Sequence, residues 1–138
     1  MPRHVFPFQV RWSDMDPFGH VNNVAYLTYL EEARVDMLFV HAAQSGGEAL
    51  AGGVVVAEHQ IRYRAPLVFR PEPVRVETWV SHLGNSSFTL DYEVRDDETL
   101  FATARSVLVP YDVAARRARR VSPGEQRALE RYLETELV

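Results

Sequence analysis

Thirteen consecutive residues hold most of the side chains that could do chemistry: Arg11-Trp12-Ser13-Asp14-Met15-Asp16-Pro17-Phe18-Gly19-His20-Val21-Asn22-Asn23. Two carboxylates, one imidazole and two amides stand in this segment, just ahead of a run of helix-forming residues. A helix N-terminus presents free N–H groups and roughly half a positive charge. It suits a carbonyl oxygen that turns negative while its carbon is attacked. A carboxylate beside such a site could attack that carbon or take a proton from water. The combination suits hydrolysis of an activated acyl group. The same residues also have a plainer reading, since Asp before a helix is commonly a cap and Asp-Pro is ordinary turn chemistry. Spacing alone leaves both open.

The elements that must hold this segment follow from the pattern around it. Phe6, Phe8 and Val10 alternate, so Phe6 to Trp12 is a short strand, with Pro7 pushing it to an edge. Asn22 or Asn23 is a good N-cap, and from Val24 to about Ala43 no Pro or Gly interrupts a helix. Its apolar side chains cover most of the circumference, broken by Glu31, Glu32, Arg34 and Asp36, which predicts a core helix wrapped on most sides. Ser45-Gly46-Gly47 ends it, and the two Gly pairs at 46–47 and 52–53 read as flexible turns rather than a phosphate cradle. Strands follow over Val54 to Tyr63, about Val74 to Ser81, Phe88 to Arg95 and Phe101 to Val109. Gly84-Asn85 marks the tight turn between the second and third of these. Ser122-Pro123-Gly124-Glu125 carries an N-cap, a Pro at the first helical position and a capping-box Glu for a last helix to about Glu136. The order β-α-β-β-β-β-α predicts one α+β domain over residues 1–138, an antiparallel sheet with one long central helix and a C-terminal helix.

Composition narrows the chemistry. The chain of 138 residues contains no Cys, which excludes disulfides, thiolate zinc sites, iron–sulfur clusters and Cys nucleophiles. All 15 basic residues are Arg, so a Schiff-base lysine and the P-loop lysine are excluded too. A net charge of -4 disfavours nucleic acid as the main partner. The five His are scattered, and none sits at metal-ligand spacing from another. No strand–G-x-G-x-x-G–helix unit is present, so neither a metal nor a nicotinamide or flavin cofactor is expected. No run of 18 apolar residues and no apolar leader are seen, which predicts a soluble, cytoplasmic domain.

The sequence resembles the hot-dog-fold acyl-CoA thioesterases of the 4-hydroxybenzoyl-CoA thioesterase family. The resemblance rests on R-W-S-D-M-D-P-F-G-H-V-N-N at 11–23 and Y-L-x-Y-L-E-E-A-R at 26–34. It continues through I-R-Y-R-A-P-L at 61–67 and L-G-N-S-S-F at 83–88, in family order and spacing. It implies an antiparallel sheet wrapped around the central helix, and hydrolysis of an acyl- or aryl-CoA to free acid and CoA. Carried over by position, the catalytic carboxylate is Asp16, the second acid of D-x-D. The carbonyl-polarising amide is the backbone N–H of Asn23. Asp14 is then structural, and His20 orients the loop or a water. The coenzyme would pass Ser86 and Ser87, for which ordinary hairpin residues are an equal reading. Arg62 and Arg64, sharing one strand face, are candidates for its phosphates, and Tyr26 stands near the acyl pocket or a neighbouring subunit. Arg116-Arg117-Ala118-Arg119-Arg120 is a further basic run, read as solvated. The resemblance also implies homodimers or homotetramers with sites at the subunit interface.

Two other activities occur on such a fold. A hot-dog (R)-enoyl-CoA hydratase or dehydratase uses a loop resembling D-x-N-P-x-H. Here Gly19 precedes His20 and Asp16 replaces the Asn, which favours hydrolysis. A non-catalytic acyl-CoA-binding protein is the other alternative; such regulators usually carry a DNA-binding segment, and 138 residues leave no room for one.

Overall fold

The computed structural model describes residues 3–41 and 53–134. Strand β1 (His4–Phe8) is followed by a single 3-10 turn at Trp12–Asp14 and by helix α1 (Ala25–Val35). Then come β2 (Val54–Tyr63), β3 (Val74–Leu83), β4 (Phe88–Arg95), β5 (Leu100–Asp112), a two-residue β6 (Arg117–Ala118) and α2 (Pro123–Glu130). The sheet runs β1-β3-β4-β5-β2 with every neighbour antiparallel, and β6 adds to β5. Alternation sets its inner face. Val74, Val76, Thr78 and Val80 of β3 and Phe88, Leu90, Tyr92 and Val94 of β4 are buried, with half-buried residues between them. α1 lies on that face through Tyr26, Tyr29, Leu30 and Ala33. The expected α+β arrangement, a sheet around one central helix, is present.

Several boundaries differ from the sequence reading. β1 ends at Phe8 rather than Trp12, because residues 12–14 close a 3-10 turn instead of extending. α1 does not continue as one regular helix to Ala43. It ends at Val35 and passes into a wider π-helical turn over Asp36–His41, while residues 42–43 and the Gly pair 46–47 lie outside the described residues. α2 stops at Glu130 rather than Glu136, since Leu133 leaves the helix to bridge Val80. Its start matches the pattern: Ser122 Oγ accepts from Glu125 N at 3.2 Å, and Glu125 Oε1 accepts from Ser122 N at 2.8 Å. The basic run is not simply solvated. Arg119 makes two bonds of 2.7 and 2.8 Å to Glu125, itself 3% exposed, and so ties β6 to α2.

α1 is also less wrapped than its apolar circumference suggests. Val24, Leu27 and Val35 are exposed, so one side of the helix is open within a single chain. β2 is open as well. It forms the sheet's edge, and most of its residues are exposed on both faces.

Candidate active site

The D-x-D-x-x-G-H segment folds as a small hairpin. Met15 bridges Val21, Asp16 N donates to the His20 carbonyl at 3.0 Å, and Gly19 N donates back to the Asp16 carbonyl at 3.1 Å. Gly19 sits at φ +88°, a conformation that a side chain disfavours, which is why glycine occupies this corner. Two anchors tie the hairpin down: Val21 N to the Leu67 carbonyl at 2.7 Å and Asn22 N to the Asp14 carbonyl at 2.8 Å. Asn22 Oδ1 then accepts from Val24 N at 2.8 Å, an Asx turn just ahead of α1; the N-cap itself is Val24, which has no side-chain cap bond, rather than the expected Asn22 or Asn23. The N–H of Asn23, the residue between, donates to nothing among the described residues.

The two acids differ in surroundings. Asp14 is 5% exposed and fully engaged. Its Oδ2 accepts from Arg11 N at 3.0 Å and from the Tyr29 hydroxyl at 2.7 Å, and its Oδ1 from the Arg11 guanidinium at 3.0 Å. Burial alone would raise its carboxyl, but the bonds from Tyr29 and Arg11 outweigh that and hold it below the ordinary value. The same contact, after burial, raises the Tyr29 phenol. Asp16 is half-buried, and only its Oδ1 is held, by Phe18 N at 2.9 Å in an Asx turn. Its second oxygen has no partner among the described residues.

Asp16, His20, Asn23, Tyr26, Tyr63 and Arg64 line one cavity of about 290 Å³. His20 Nδ1 is held on the Val21 carbonyl at 3.1 Å, which leaves Nε2 unengaged among the described residues. Tyr26 is 3% exposed and stacks edge-on to Tyr63 at 5.1 Å; burial, then the second phenol beside it, pushes its hydroxyl up to about 12. Tyr63 is not singled out by sequence, yet its hydroxyl donates to the Asn23 carbonyl at 2.9 Å and so ties the end of β2 to the turn that leads into α1. The signal was its place in R-Y-R: alternation sets it opposite Arg62 and Arg64.

Other residues named from the sequence lie elsewhere in the chain. Arg62 lies on the outer side of the sheet, in a hollow of about 450 Å³ shared with Gln60, Trp79, Asp91 and Arg105; Arg64 borders both this hollow and the cavity. Neither Arg62 nor Arg64 has an ion-pair partner among the described residues. Ser86 and Ser87 form the β3–β4 turn, where Gly84 N bonds the Ser87 carbonyl at 2.9 Å. That turn lies level with the start of β2, whereas the cavity lies at its end. Among the described residues, no three His, Asp or Glu side chains gather as a metal-ligand set.

A family model described as thioesterase-like superfamily matches residues 10–129. Among solved structures, a predicted thioesterase from Bacillus stearothermophilus superposes with a TM-score of 0.85 at 19% identity, covering 97% of this chain and 98% of its own. The PA2801 protein of Pseudomonas aeruginosa, a putative thioesterase, is 34% identical, with 91% of this chain and 96% of its own covered and a TM-score of 0.78. A thioesterase from Thermus thermophilus solved with coenzyme A and zinc is 26% identical, with 94% and 92% covered and a TM-score of 0.77. An uncharacterised Bacillus subtilis protein, YsmA, is 36% identical over 83 residues, or 60% of this chain. That match spans about half, 54%, of the YsmA chain.

Proposed function

This chain belongs to the thioesterase-like superfamily and has the hot-dog fold, and from that premise we propose that it hydrolyses acyl- or aryl-CoA thioesters. One observation carries the reading. A carboxylate with a free oxygen, Asp16, shares a cavity with Asn23, whose N–H at the start of α1 is also free among the described residues. The thioester carbonyl oxygen would accept from that N–H, where the helix N-terminus favours the developing negative charge. The Asp16 carboxylate then acts on the carbonyl carbon. It either attacks directly, giving an anhydride that water opens, or takes a proton from the water that attacks. In both routes the C–S bond breaks, the sulfur leaves as thiolate, and a proton from the water ends on it. His20 steadies the hairpin through Val21, and Asp14 supports it from below.

The remaining assignments rest on the same reading. The nucleotide end would leave past Arg64 toward Arg62, both without carboxylate partners among the described residues, and Tyr26 would border the acyl group. Two copies would join along β2, an open ten-residue edge. An antiparallel β2–β2 pairing would carry the Ser86–Ser87 turn of one copy toward the cavity of the other, and would cover the open side of α1. The chain would then be one domain in a dimer or tetramer, acting in the cytoplasm where CoA esters are met. No helix among the described residues is long and apolar enough to cross a membrane. The test is a panel of CoA thioesters from acetyl through long-chain to benzoyl and phenylacetyl, with released thiol read by a disulfide dye. Turnover of at least one class is expected; silence across the panel overturns the reading.

A further inference from the structure

A guanidinium lies inside this fold with no carboxylate partner among the described residues. Arg34, in the last turn of α1, is 9% exposed, and its one hydrogen bond there is from Nη1 to the Tyr92 hydroxyl at 3.3 Å. Buried charges are ordinarily paired, because an isolated one costs several kcal/mol of desolvation. Tyr92 passes its own proton on, donating to Ser106 Oγ at 2.9 Å. Ser106 Oγ lies 2.7 Å from His59 Nδ1. With the Tyr92 proton directed at Ser106, the Ser106 hydroxyl is free to donate to Nδ1, the arrangement that puts the His59 proton on Nε2. In that arrangement the groups left over at this end, the remaining Arg34 N–H groups and His59 Nε2–H, are donors. The cluster lacks an acceptor among the described residues.

Two rows of residues, one on β2 and one on α1, lead from this cluster to the cavity described above. Along β2, Tyr63, Ile61 and His59 share the inner face; they sit opposite Ala102, Ala104 and Ser106 of β5, three small side chains. Tyr63 touches Asn23, and His59 reaches the Arg34 cluster. Along α1 and the turn that leads into it, Asn23, Leu27, Leu30 and Arg34 fall on one side, at i, i+4, i+7 and i+11. The two rows run side by side over matching lengths, ~16 Å for eleven helical residues and ~13 Å for four strand residues. His59 and Tyr63 are exposed and Ile61 is half-buried, so the trough between the rows is uncovered in one copy, and in the β2–β2 dimer proposed above the second copy would roof it.

We propose that this trough takes an acyl chain ending in a carboxylate, held by Arg34 and His59 while the thioester lies between Asp16 and Asn23. This rests on the thioester-hydrolase reading and adds the class of acyl group. Because helical side chains lean toward the N-terminus, Arg34 shortens the gap, and at ~1.2 Å per extended bond a chain of roughly six to ten carbons fits.

The experiment compares two eight-carbon thioesters that differ only at the far end, octanoyl-CoA and the mono-CoA ester of octanedioic acid. The wild-type protein is expected to favour the carboxyl-ended ester at least tenfold in kcat/KM, and Arg34→Met to abolish or reverse that ratio. Calorimetric binding of both esters to the Asp16→Asn protein, read without turnover, should show the same order. Equal values, or a preference for octanoyl-CoA, overturn the proposal. If neither ester is hydrolysed, the wider thioester panel decides the hydrolase reading, and the binding order still decides the trough. If Arg34→Met does not fold, the wild-type ratio and Arg34→Lys, which keeps the charge but loses the fork, decide it.

Discussion

Within the D-x-D pair, environment separates two residues of the same type. Among the described residues, Asp16 keeps one oxygen free in the cavity that the unpartnered Asn23 N–H also borders, whereas Asp14 is consumed by Arg11 and Tyr29. Asp16→Asn preserves shape and cannot act as base or nucleophile, so turnover should fall ~10²–10⁴-fold or more with an unchanged melting temperature. Asp14→Asn should instead cost about 2 kcal/mol of stability, the scale of a hydrogen bond to a charged group in a buried setting. Kinetics and melting on both variants check the assignment, and a reversed pattern would exchange the two roles. Titration at the residue scale has a definite sign. His59 is held below its ordinary 6.5 by burial and by Arg34, and Asp14 and Glu125 are held below their ordinary values by the bonds that outweigh burial. Each binds fewer protons folded than unfolded, so stability is lost as pH falls. Melting temperature should be level at pH 7–8, decline as pH drops below about 6.5 and decline further below about 4.5. A melting temperature that rose on acidification through that range would contradict these environments.

Among the elements, the informative contact is between an edge strand and a helix start. Tyr63 at the end of β2 holds the Asn23 carbonyl, the residue whose N–H faces no partner among the described residues. Tyr63→Phe keeps the ring against Tyr26 and removes only that bond. A misplaced donor to the developing oxyanion lowers the chemical step, so kcat should fall several-fold, up to ~10², with KM little changed. A rise in KM at constant kcat would instead mean that Tyr63 contacts the substrate. The wild-type pH profile should keep its shape in this variant, since the Asp16 carboxylate is untouched.

For the whole molecule, two open surfaces meet: the β2 edge and the exposed side of α1 with Val24, Leu27 and Val35. An exposed edge of ten residues invites pairing, and a second copy would close both surfaces at once. Native mass or scattering should therefore give a dimer or tetramer, and specific activity should fall on dilution once the copies separate. A monomer that hydrolysed thioesters at full rate would remove the interface from the mechanism.

Local chemistry made much of this protein legible in one dimension. The D-x-D-x-x-G-H-V-N-N segment shows a turn with a glycine corner leading into a helix, because each of those needs only neighbours within a few residues, although the N-cap falls on Val24 and not on an Asn. The capping box at Ser122 and Glu125 and the alternation of β3 and β4 are local in the same sense. What depended on distant partners was decided by the tertiary structure. Alternation said that Arg62 and Arg64 share a face, but not that one faces only the outer hollow while the other also borders the cavity. It set Tyr63 opposite them without showing the Asn23 carbonyl, forty residues earlier in the chain, waiting there. Arg34 read as an interruption in an apolar helix. Its burial beside Tyr92, and the chain of donors through Ser106 to His59, arise only when three strands and a helix converge, since a side chain's solvation is fixed by what packs over it and not by its place in the sequence.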